Sequence, residues 1–328
     1  GLWTVNTTAN ILSNTSFLTT ASNLDLGPNI FTWTVTKGSC PGVSKDLTIT
    51  NDMVVANAGA DQAVCVSVTS FNAIEPMQGT GTWTIENSPT ANISSINEFN
   101  STVSGLQIGS NTFKWTVINN TCSDFDYVNI DNETIVLAPD YIGSICAFEV
   151  DLTANPLNGT NTGVWTSASS NPVIANSTSP NTHITNLDYG NNVFFWTVTS
   201  DGGCSTMRKF TIVNNSPTPA NAGLDKEICT NTTTITANTP LYGTGVWSVA
   251  TGAGYFANAN TMQTVVSNIG PGANNFRWTI STAQCSGVNA SSDIVTITNN
   301  SFTIDAGVPQ QLCVDYTLSL IHISEPTR

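Results

Sequence analysis

Charge is scarce in this sequence. Of 328 residues only 9% are Asp, Glu, Lys or Arg, against about 25% in an ordinary soluble domain. Eight are Lys or Arg, and the formal net charge is −14. Nucleic-acid binding needs a basic face that neutralises phosphates, and none can be assembled here. The same deficit argues against docking on anionic lipid. Histidine occurs twice, which leaves few candidates for a general base. No run of about 18 apolar residues exists, so no transmembrane helix is expected. GxSxG, HExxH and phosphate-loop patterns are absent. No CxxC pair occurs, which argues against a zinc site. Strong helix formers never cluster, and no apolar stripe recurs at 3.6 residues. No signal peptide opens the chain. GLWTV reads as the middle of a strand, so the chain is expected to start inside a longer protein.

What is present is apolar residues (40%) set in Thr, Asn and Ser. Short hydroxyl and amide side chains favour strands and turns over helices. They also recur with a period. GTGTWTI, NTGVWTS and GTGVWSV place Trp83, Trp165 and Trp247 at one beat, with Trp3 in a partial copy. NIFTWTV, NTFKWTV, NVFFWTV and NNFRWTI carry Trp33, Trp115, Trp196 and Trp278. Cysteines follow in two series, Cys65, Cys146, Cys229 and Cys313, and Cys40, Cys122, Cys204 and Cys285. All eight Trp and all eight Cys are thereby placed. The period, roughly 82 residues, is too long for a solenoid unit of about 20–45 residues. It fits a small domain with its own core.

The expected organisation is a truncated first repeat at 1–52, and full second, third and fourth repeats at 53–133, 134–215 and 216–300. The start of a fifth follows at 301–317. Each repeat reads as all-β. In NTFKWTV, Phe113, Trp115 and Val117 alternate with Thr112, Lys114 and Thr116, the period of a half-buried strand. Asn- and Gly-rich runs such as QIGSNT, DYGNN and GPGANN read as turns. Roughly seven such strands per repeat imply a β-sandwich.

These motifs carry a resemblance. ANAGADQAVC, GTGTWTI, GLQIGSNTFKWTV and NNTC resemble the PKD-like and immunoglobulin-like tandem repeats of giant secreted Bacteroidota proteins, including gliding-motility and surface adhesins. The resemblance covers residues 1–317 and departs from the pattern where LAPDYIGSIC replaces the ANAG opening. It implies an all-β tandem array of immunoglobulin/PKD-like β-sandwiches, secretion, and an extracellular place at the cell surface. Residues 318–328, LSLIHISEPTR, instead resemble a translated sequencing-library adapter, and a non-native tail is expected there.

No catalytic, cofactor-binding or metal site is expected. His183 reads as a surface-strand residue. Asp61 and Asp225 could contribute to a calcium site, but calcium needs several converging oxygens, and a turn-capping Asp is the plainer reading. Trp83, Trp115, Trp165, Trp196, Trp247 and Trp278 read as core, with sugar stacking as the alternative. The cysteines read as disulfides, with two pairings open. Within repeats they would join Cys65–Cys122, Cys146–Cys204 and Cys229–Cys285. Between neighbouring repeats they would join Cys65–Cys204 and Cys146–Cys285. In a sandwich the two cysteines of one repeat fall at opposite poles, roughly 17–20 Å apart. A disulfide needs Cα atoms within about 7 Å, which favours the second pairing.

The function expected is therefore a non-enzymatic structural or adhesive stalk segment, its partner an unknown surface ligand, glycan or protein. The alternative is a set of carbohydrate-binding accessory repeats on a secreted glycoside hydrolase.

Overall fold

The computed structural model of the chain describes residues 1–304, 311 and 313. The expected adapter-like tail, and most of the expected fifth repeat, lie outside the described residues. The chain divides into two compact units, residues 1–136 with 199–206, and residues 137–198 with 207–328. Among the described residues there is no α-helix, only one 3-10 turn at Gly287–Asn289.

The first unit begins with β1 (Leu2–Val5), β2 (Asn10–Ile11), β3 (Ala21–Ser22), β4 (Gly27–Val35) and β5 (Val43–Asn51). Strands β1, β4 and β5 form one sheet in that order, and β2 pairs with β3. The second repeat supplies β6 (Gln62–Val64), β7 (Val68–Ser70), β8 (Thr80–Asn87), β9 (Asn92–Ile93), β10 (Thr102–Ser104), β11 (Gly109–Asn119) and β12 (Cys122–Asn132). They form two sheets, β6-β12-β11-β8 and β7-β10-β9. All of these pairings are antiparallel except β6 with β12, which is parallel.

The second unit repeats that plan twice. Strands β13 (Tyr141–Ile145), β14 (Val150–Thr153), β15 (Thr162–Ser167), β16 (Val173–Ile174), β17 (Asn181–Thr185), β18 (Gly190–Thr199) and β19 (Ser205–Asn214) come first. They are ordered β13-β19-β18-β15 and β14-β17-β16. The turn joining β18 to β19 belongs to the first unit. Then come β20 (Lys226–Ile228), β21 (Thr233–Thr236), β22 (Thr244–Thr251), β23 (Tyr255–Phe256), β24 (Gln263–Ser267), β25 (Gly272–Ser281) and β26 (Ser291–Asn299). Their orders are β20-β26-β25-β22 and β21-β24-β23.

Alternation drives these strands. Along β11, Asn111, Phe113, Trp115 and Val117 are buried while the residues between them are not. The second repeat's core draws on both sheets, with Val103 from one and Trp83, Phe113, Trp115, Val128 and Ile130 from the other. Phe71 stacks on Trp83 at 3.8 Å between centroids. The fourth repeat builds the same core from Ile235, Trp247, Val266, Phe276, Trp278, Val295 and Ile297. Seven strands in a four-plus-three sandwich, with the first strand parallel to the last, is an immunoglobulin-like arrangement. The chain is an all-β tandem array of such sandwiches.

Candidate functional site: the stapled joints between repeats

The six Trp of the three full repeats are at most 2% exposed. They meet in pairs, Trp83–Trp115 at 4.9 Å, Trp165–Trp196 at 5.2 Å and Trp247–Trp278 at 5.1 Å, all tilted. Paired register puts them opposite each other, as with Trp83 and Trp115 on β8 and β11. The glycine two residues before the first Trp of each pair makes room for the second. A Cβ on Gly81 would stand 1.9 Å from the Trp115 ring, on Gly163 2.2 Å from Trp196, and on Gly245 2.0 Å from Trp278. The GTGTW-type motif is thus a packing motif, and these rings offer no face for a sugar.

The cysteines lie where the turns of successive repeats meet. Cys65 follows β6 and bonds to Cys204, at the β18–β19 turn, with Cα atoms 5.3 Å apart. Cys146 follows β13 and bonds to Cys285, beyond β25, at 5.7 Å. Both bonds span 139 residues. Cys122 and Cys229 carry free thiols, as do Cys40 and Cys313.

Hydrogen bonds around the cysteines add a second layer that the sequence did not disclose. One residue just past the last strand of each of the first three repeats holds the hairpin turn of the next. Asp52 accepts from the side-chain amides of Asn119 and Asn120. The Glu133 carboxylate accepts from the Ser200 hydroxyl and, at 2.7 Å, from the Gly202 amide. The Asn215 carbonyl accepts from the Thr282 hydroxyl at 2.8 Å. Ser200 and Thr282 in turn accept from the backbone N–H of Cys204 and Cys285, the two bonded hairpin cysteines. The position is Asp, Glu or Asn in turn, so identity alone does not mark it. Its signal is the spacing of about one period.

The remaining polar residues serve the scaffold. Asp61 accepts from the Asn129 amide and Asp225 from the Thr296 amide, each at 2.8 Å. Among the described residues no cluster of three or more His, Cys, Asp or Glu could hold a metal ion. His183 is on β17, its Nδ1 2.8 Å from Asp151 and its Nε2 3.7 Å from Glu149. The hydrogen bond to Asp151 raises the His183 pKa above its ordinary value, aided by the charges of Asp151 and Glu149. Half-exposed aromatics gather in one place in the second unit. Tyr189 stacks on Tyr242 at 4.1 Å and meets Phe148 edge-on at 5.0 Å.

No helix among the described residues is long and apolar enough to cross a membrane. No family model matches the chain, and no curated protein does. Similar solved structures include a three-Ig-domain segment of titin, at 10% identity and a TM-score of 0.41, covering 77% of this chain and 100% of that one. The insect immune protein hemolin matches at 10% identity and 0.34, covering 83% of this chain and 82% of its own. A SusE-like surface-located polysaccharide-binding protein of Bacteroides thetaiotaomicron matches at 13% and 0.24, covering 91% and 55%.

Proposed function

We propose that this chain is a non-enzymatic stalk segment of a secreted cell-surface protein, made of sandwich domains bounded near residues 53, 134 and 216. The observation that carries the reading is that the chain's chemistry is spent on joints. Its two disulfides each tie one repeat to the next. Asp52, Glu133 and Asn215 reinforce the same places. Disulfides persist in oxidising compartments, which supports an extracellular setting. Joints that resist bending and extension suit a segment that carries a distal adhesive part under load.

Stretching single molecules by their ends tests this. The two disulfides overlap in sequence. At about 3.3–3.6 Å per extended residue, the oxidised chain should therefore stop at roughly half the contour length of the reduced chain. Equal lengths in the two states would remove the mechanical argument.

A second reading keeps one observation, the Phe148–Tyr189–Tyr242 cluster, whose rings could stack on a sugar. Saturable polysaccharide binding that Tyr242→Ala abolishes would favour carbohydrate-binding repeats over a plain stalk.

A further inference from the structure

The second repeat carries a surface feature that packing does not explain. The face of its β6-β12-β11-β8 sheet that turns away from the core should be polar, as on a half-solvated sheet. Thr82, Thr84, Thr112, Thr116, Ser123 and Asn129 conform. Phe125 and Tyr127 on β12 do not. They are 53% and 45% exposed, and their rings meet edge-on, 5.6 Å apart with planes at 74°. Lys114 stands beside them on β11, opposite Tyr127. Its ammonium lies 4.1 Å from the centre of the Phe125 ring and 5.7 Å from that of Tyr127. Among the described residues it makes no ion pair. The carboxylate on β8, Glu86, accepts instead from the Thr84 hydroxyl.

Scaffolding does not account for this group. Lysines guard edge strands against stray pairing, but β11 is flanked by β12 and β8. Nor does the group recur with the fold. The place of Lys114 is held by Arg277 in the fourth repeat, opposite Ile294 and Ser248. In the first repeat it is held by Thr32, opposite Asp46. In the third, NVFFWTV puts Phe195 there. Among the described residues, only the second repeat sets a cation beside two exposed rings.

The chemistry of the group specifies a ligand. An aromatic face attracts the C–H bonds that line one side of a sugar ring, and the tip of Tyr127 stays polar. The ammonium offers three donors to an oxygen anion. Threonine hydroxyls around it match sugar hydroxyls. Two rings are too small a patch for a stable protein partner, which covers about 800 Å² on each side. The 5.6 Å between ring centres instead spans a single sugar ring. The net charge of −14 disfavours a densely charged polymer. At physiological salt that repulsion fades over about 8 Å, so single carboxylates can still reach Lys114. We propose that this face of the second repeat binds a uronic-acid unit of an acidic polysaccharide. Lys114 takes the carboxylate, Phe125 and Tyr127 take the apolar face of the sugar, and Thr84 and Thr116 take its hydroxyls. The site lies in a different repeat from the Phe148–Tyr189–Tyr242 cluster and depends on neither reading given above.

Calorimetric titration of the full chain with tetramers of galacturonate and of mannuronate tests the site. At least one should bind saturably, and a neutral galactose tetramer should bind about tenfold more weakly or worse. Lys114→Met keeps an aliphatic stem against the rings and removes the charge. It should weaken uronate binding by about tenfold or more, the usual weight of a hydrogen bond between charged groups. Lys114→Arg should retain most of the affinity. Phe125→Ala and Tyr127→Ala change solvent-facing residues and should each weaken it. Tyr242→Ala and Arg277→Ala should leave it unchanged, which separates this site from the aromatic cluster of the second unit. If neither uronate binds, the proposal is overturned. Equal binding of the neutral tetramer, or uronate binding that Lys114→Met leaves intact, overturns it too.

Discussion

At the scale of single residues, the recurring motifs separate into packing and polar hubs. Gly81 exists for Trp115, since the added Cβ of Ala would overlap the ring. Gly81→Ala should therefore cost about 1–3 kcal/mol, the usual range for overpacking. Trp115→Ala should cost about 3–5 kcal/mol, because it removes one of the two buried indole rings of that core. Urea unfolding of the two variants checks the order, and a neutral Gly81→Ala would contradict the packing account. Asn192 and Asn274 stand in DYGNN and GPGANN, runs whose composition marks turns, and they hold those turns from the inside. They are buried at 1% exposure, and each donates from its side-chain amide to two carbonyls of its own turn. Sequence alone does not separate a buried Asn from an exposed one where both follow a turn glycine closely, as Asn192 and Asn191 follow Gly190. His183 makes a pH prediction. Its folded pKa is raised above 6.5 by the Asp151 hydrogen bond. Its contribution is thus fully present below pH 6.5 and fades as pH rises through the raised value. In an NMR titration Asp151→Asn should bring the His183 midpoint down, and an unchanged midpoint would contradict the assigned cause.

At the scale of elements, the strands were legible and the hydrogen-bonded half of the joints was not. Alternation in NTFKWTV places Phe113, Trp115 and Val117 on the buried face, where β11 has them. The Trp and Cys series also set the period before any strand is drawn. Asp52, Glu133 and Asn215 escaped because each acts on a turn about 67–69 residues further on. No local pattern encodes a contact at that distance, and the residue type changes at every joint. Glu133→Ala should free the β18–β19 turn, since two donors lose their acceptor. Hydrogen exchange at Gly202 should speed up, while the buried core of the second repeat, around Val128 and Ile130, should exchange as before. Unchanged exchange at Gly202 would mean that the carboxylate holds nothing.

At the scale of the molecule, the cysteines decide between separate sandwiches and tied neighbours. Pairing within repeats would leave each sandwich covalently separate. Pairing between repeats makes the array one overlapping set of loops, which a polypeptide under tension cannot extend domain by domain. Loop closure over 139 residues should also stabilise the oxidised chain by roughly 4–5 kcal/mol per bond in the chain-entropy model. The most direct test is proteolysis of the thiol-blocked, non-reduced chain followed by mass spectrometry of its linked peptides. The account predicts Cys65 joined to Cys204 and Cys146 joined to Cys285, with Cys122 and Cys229 recovered as blocked thiols. Cys65 joined to Cys122, or Cys146 joined to Cys204, would contradict it.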